Sequence, residues 1–141
     1  MFSKQESRKL REEFWIAFGK SFPNKWTLYK TEVKGLSFKF HFDLKKAIVS
    51  IDIDSDFDQQ IKVWDKLIAL KSILLDEFLP EGIFEDFYIL ENQKEISRIY
   101  VELNNVSIHN KNTWRETMEF LNNNMLQIEK FYEEYKDVID S

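Results

Sequence analysis

The chain has 141 residues, no cysteine and a net charge of −5, which fits one domain, 1–141, and excludes a disulfide framework, a cysteine nucleophile and a thiolate metal site. Hydrophobic residues make up 43% of it, with 13 Phe, 5 Tyr and 4 Trp, enough for a dense aromatic core. The N-terminus lacks the apolar run of a signal peptide, and no stretch approaches the ~20 apolar residues of a membrane span, so a cytoplasmic chain that does not engage a membrane is expected.

A first helix is expected from Lys4 to Lys20. Ser3 and Glu6 fit a capping box, in which each side chain satisfies a free backbone N–H. Leu10, Phe14, Ala17 and Phe18 recur at helical spacing, and Gly19 and Pro23 end the run. Trp26 to Val33 reads as a first strand on the β-favouring Thr27, Tyr29, Thr31 and Val33. In the second, Leu36, Phe38, Phe40 and Phe42 alternate with Ser37, Lys39 and His41. Asp43 to Lys46 suits a hairpin loop. The third strand sets Ala47, Val49, Ile51 and Ile53 on one face and Ile48, Ser50, Asp52 and Asp54 on the other.

Helix two is expected from Phe57 to Phe78, with Phe57, Ile61, Trp64, Ile68, Leu75 and Phe78 on one side and Pro80 and Gly82 stopping it. Strands four (Phe84 to Leu90) and five (Ile96 to Leu103) flank the turn Glu91 to Lys94. The last helix is expected from Trp114 to Val138, with Thr113 and Glu116 as a second capping box. In it Trp114, Met118, Leu121, Met125, Ile128, Tyr132, Tyr135 and Ile139 make a heptad-like seam. The seam suits packing within the domain or contact with a second copy. The class is α+β, in the order α-β-β-β-α-β-β-α. A five-stranded, mainly antiparallel sheet should carry its helices on one face.

Alternation assigns Lys39 and His41, Asp52, Arg98, Tyr100 and Glu102 to the opposite, partly open face, and these are the ligand-binding candidates. His41 has the side chain of a general base near neutral pH, but a lone strand histidine is more often plain surface. His109 is distant in sequence, and two distant histidines do not make a zinc site. Asp52, Asp54, Asp56 and Asp58 have a spacing that suits a hard cation but lack the glycine and distal glutamate of an EF-hand. They also suit caps and first-turn anions of helix two. No metal, cofactor or catalytic residue is expected.

The helix-strand-strand-strand-helix-strand order is shared with the PD-(D/E)xK nuclease core, which needs an acid-x-Lys on its third strand. Here that strand reads Val49-Ser50-Ile51-Asp52-Ile53-Asp54, and the nearby acid-x-Lys, Glu32-Val33-Lys34, is out of register. Charge is uneven. Residues 1–50 carry eleven Lys/Arg against five Asp/Glu, and residues 51–141 carry nine against twenty. Lys4, Arg8 and Arg11 share one stripe of helix one, a candidate anion or nucleic-acid contact that would act on phosphates.

Arg11-Glu12-Glu13-Phe14-Trp15, Lys25-Trp26, Gly35-Leu36-Ser37-Phe38-Lys39-Phe40, Glu77-Phe78 and Ile96-Ser97-Arg98-Ile99 carry a resemblance. Over nearly its whole length the chain resembles the bacterial family of domains of unknown function numbered 4268. Members often carry this domain C-terminal to a nuclease-like one, so the resemblance implies a bacterial source and a DNA-linked, restriction or defence, context. It implies no catalytic residues. Element order, size and acidic balance are also similar to those of type III secretion chaperones, which dimerise and hold extended peptides. The expected function is a non-enzymatic binding or accessory domain. A degenerate metal-dependent nuclease relative and a dimeric chaperone-like protein are the alternatives. Partners left open are another protein, a second copy through the last helix, and nucleic acid.

Overall fold

A computed structural model describes residues 2–141. The elements are α1 (Lys4–Ser21), β1 (Leu36–Phe42), β2 (Lys46–Ile53), α2 (Phe57–Ala69), α3 (Lys71–Ile73), β3 (Ile83–Ile89), β4 (Glu95–Asn104) and α4 (Trp114–Ile139). A π-helical turn, Leu74–Phe78, follows α3, and a 3-10 turn, Lys111–Thr113, leads into α4. No described helix is long and apolar enough to cross a membrane. The strands form one antiparallel sheet in the order β1-β2-β4-β3.

The class and the antiparallel pairing agree with the sequence, but the sheet has four strands, not five. The segment expected as a first strand, Trp26 to Val33, is irregular. Side chains of α4 take its backbone donors. Thr27 N–H donates to the Glu129 carboxylate at 3.2 Å, and Glu32 N–H to the Tyr132 hydroxyl at 2.8 Å. Leu28 sits at φ 49°, a left-handed conformation that interrupts any extended run. Only one backbone bond, Phe38 N–H to Leu28 C=O at 3.0 Å, reaches past the first residue of β1; Leu36 itself donates to Val33 C=O at 3.1 Å and accepts from the Thr31 hydroxyl at 2.6 Å. Gly35 closes the loop at φ +83°, where an added Cβ would lie 2.6 Å from Ser55 Cβ.

Helix two is also broken. Leu70 N–H bonds the carbonyls of both Lys66 and Leu67, and Leu79 N–H reaches Leu74 C=O across the π turn. That change of phase lets Leu70, Leu74 and Leu79 all enter the core.

The Ser3–Glu6 capping box forms. At α4 it does not. Thr113 is helical, and its hydroxyl donates to Asn110 C=O at 2.7 Å, because the 3-10 turn already occupies the capping position.

The core lies between the sheet and the helices. Phe14 and Phe18 of α1, Val63 and Leu67 of α2, and Leu121, Met125 and Ile128 of α4 join Phe38, Val49, Ile51, Ile99 and Val101 of the strands in one buried cluster. Phe40, on the edge strand β1, is half-buried and packs on Trp15, Phe18 and Trp26. The heptad-like seam of α4 belongs to this cluster too. Six of its eight residues are buried in the described chain, so the seam serves intramolecular packing.

Candidate functional site

Pairing puts the expected open-face residues in three rows across β1, β2 and β4. They are Ser37–Asp52–Arg98, Lys39–Ser50–Tyr100 and His41–Ile48–Glu102. The face is less open than alternation implies. Ile48, Ser50, Asp52, Arg98 and Tyr100 are all buried, although the helices pack on the other side. Edge strand β3 supplies the cover. Its pairing with β4 shifts by one residue between Glu85 and Tyr88, and this bulge returns Tyr88 to the face. The Tyr88 ring lies 4.3 Å from the Arg98 guanidinium and edge-on to Tyr100 at 5.5 Å.

Beneath that lid the polar groups satisfy one another. Arg98 grips the fully buried Asp52 through two hydrogen bonds, Nε to Oδ1 at 2.7 Å and Nη2 to Oδ2 at 2.8 Å. Lys39 Nζ stands 3.5 Å from the same carboxylate. Burial pulls the Arg98 pKa down, but the Asp52 carboxylate outweighs it and holds the guanidinium above its ordinary value. Tyr100 donates to Glu85 at 2.5 Å, and burial, then Glu85, pushes its phenol well above the usual tyrosine range. Glu102 pairs with Lys46 at 3.6 Å. His41, exposed, bonds Asp43 at 2.7 Å. No buried side-chain polar atom among the described residues lacks a partner. A cleft of about 520 Å³ remains beside the network, between Lys39, His41, Lys46 and Tyr88.

The aspartates expected near the end of β2 separate. Asp52 pairs with Arg98, Asp54 with Lys94 at 2.9 Å, and Asp56 caps α2 through Gln59 N–H at 3.0 Å. No group of three or more His, Asp or Glu among the described residues is placed to hold a metal ion. Lys4, Arg8 and Arg11 are exposed on α1, with Arg8 in an i,i+4 pair with Glu12. His109 bonds Ser7 at 2.6 Å.

A second surface lies where the sequence placed packing. Phe57, Ile61 and Ile68 of α2 are 78%, 44% and 42% exposed. The buried stripe of α2 is Val63 and Leu67, continued by Leu70 and Leu74. Phe57 and Ile61, with Phe87 of β3 at 72% exposure, instead line a groove of about 510 Å³ floored by Trp64. Asp65, Asp86 and Glu95 rim it, and no Lys or Arg does. Two apolar stripes on one helix, more than a single core face can bury, were the signal in the sequence.

The family described as "Domain of unknown function (DUF4268)" matches residues 10–136 of the chain. The chain belongs to the DUF4268 family. Its match spans every strand and most of α1 and α4, so both the polar face and the groove are parts of the DUF4268 domain. Comparison with curated proteins and with solved structures gives no significant match.

Proposed function

We propose that the chain is a non-enzymatic binding domain that holds a protein partner in the groove between α2 and β3. One observation carries this reading: large apolar side chains converge there, around a nearly buried tryptophan, inside an acidic rim. Rings left in water at Phe57 and Phe87 contribute little to folding, whereas a partner covering them gains about 25 cal/mol per Å² of apolar surface removed from water. Aromatic anchors on a floor already packed against the core are the arrangement from which interface hot spots are built. The polar sheet face is the weaker candidate, because its charges already neutralise one another.

Selection of random short peptides on the immobilised chain tests this. Binders should be rich in Lys or Arg and in large apolar residues. The double variant Phe57→Ser/Phe87→Ser should bind them at least about tenfold more weakly while melting like the parent. Binders that ignore the double substitution, or none at all, would overturn the reading.

A further inference from the structure

The groove runs alongside a free sheet edge. β3 is the outermost strand, and its backbone pairs with β4 alone. Among the described residues, no backbone hydrogen bond joins Ile83–Ile89 to any other segment. A strand in this position presents a row of unmatched N–H and C=O groups. Edges are usually blunted by lysine, proline or a covering loop, yet residues 81–93 contain no Lys, Arg or Pro. Ile83, Phe87 and Ile89 instead stand 42%, 72% and 62% exposed along it.

Resting on the binding reading above, we infer that the partner enters as an extended segment that adds a fifth strand to the outer edge of β3, with lysines or arginines alternating with apolar side chains. Charge selects that occupant. Glu81, Glu85, Asp86 and Glu91 lie on or beside β3, and Asp65 of α2 and Glu95 of β4 line the groove. None of these six forms an ion pair within the described chain. The hydrogen-bond donor that Asp86 accepts from, Ser97, is neutral and leaves that charge uncompensated. A second copy of β3 laid on this edge would bring like charges together, so the strand rejects itself. A basic strand meets opposite charge at the rim. Strand addition draws affinity from main-chain hydrogen bonds and specificity from pockets that take alternate side chains, and the groove beside Phe57, Ile61 and Phe87 is such a pocket.

The probe is a synthetic peptide alternating lysine with valine or isoleucine, blocked at both ends, with two isomers N-methylated at all lysines or at all apolar residues. In an added strand, neighbouring residues point their N–H groups to opposite sides. One isomer should therefore lose binding about tenfold or more while the other keeps it, and amides of residues 83–89 should gain protection from hydrogen exchange. A matching peptide with glutamate in place of lysine should not bind. Equal effects of both methylation patterns, with signals of Phe57 and Phe87 still shifted, would overturn strand addition but leave the groove as a binding site. Self-association of the chain through β3 without peptide would overturn the basic occupant. No binding of the alternating peptide would overturn this inference, and the library selection would then decide the groove independently.

Discussion

Along β1 the sheet edge is backed by residues 26–33, and along β3 it is backed by no other segment. The two edges belong to one sheet and differ in what α4 and the loops do nearby. At β1, Glu129 and Tyr132 pin the loop, Leu28 C=O accepts from Phe38 N–H, and Trp26 packs on Phe40 at 5.6 Å. At β3 the aromatic side chain at 87 faces water beside unpaired carboxylates. An edge that could have been a liability is closed at one end of the sheet and kept open at the other. The open edge is the one that the proposed partner strand would use.

The largest effect that could break this contrast is on stability. Phe38 of β1 is 2% exposed and meets the Tyr132 ring edge-on at 5.5 Å. Phe38→Ala should cost about 3–5 kcal/mol in urea unfolding. Phe87→Ala should cost less than about 0.5 kcal/mol, as exposed substitutions do. Comparable losses at both positions would make Phe87 a structural residue and remove the groove's main anchor. A buried-charge variant gives a control on the sheet itself. Asp52→Ala strands Arg98 inside the face and should cost about 3–5 kcal/mol, much of it recovered in Asp52→Ala/Arg98→Met.

A smaller effect should appear at the covered edge alone. Tyr132→Phe removes the acceptor of Glu32 N–H and should lower stability by about 1 kcal/mol. Amides of residues 27–33 should then exchange faster, while those of β3 keep their rates. Faster exchange in both edges would mean that the loop and β3 open together, and the two edges would not be independent.

How much of this was legible in the sequence follows from the range of each signal. The rows Ser37–Asp52–Arg98 and Lys39–Ser50–Tyr100 follow from strict period-two alternation and short hairpins, both local. The bulge that folds Tyr88 over them leaves no local mark in Ile83–Ile89, so the face looked open. Trp26–Val33 has strand-favouring residues, but its outcome was set about 100 positions away by Glu129 and Tyr132, which propensity cannot register. Phe57 and Ile61 fit helical spacing as well as the buried stripe does, so spacing alone does not tell the two stripes apart. Val63 and Leu67 continue through Leu70 and Leu74 into the core, whereas of the other stripe Phe57, Ile61 and Ile68 face outward and Trp64 is buried beneath them.

The smallest expected effect concerns acid and the β1–β2 turn. Burial pushes the Asp43 carboxyl up, but hydrogen bonds from His41 and from the N–H groups of Lys45 and Lys46 outweigh it and hold its pKa below the ordinary value. With the folded pKa depressed, the unfolded chain binds more protons at any pH between the two values. The contribution is therefore complete above the unfolded value, about 3.9, and is lost as pH falls through the folded one. The side chain is 38% exposed, so screening keeps the effect well under about 1 kcal/mol. Asp43→Asn should remove that share of the acid slope in urea titrations run from about pH 5 downward. Hydrogen-exchange protection at Lys45 and Lys46 should fall with it. Protection at Leu90 should not, because its N–H bonds the Lys94 carbonyl, which does not titrate. Equal loss at both turns would show that acid loosens the sheet as a whole rather than the hairpin at its covered edge.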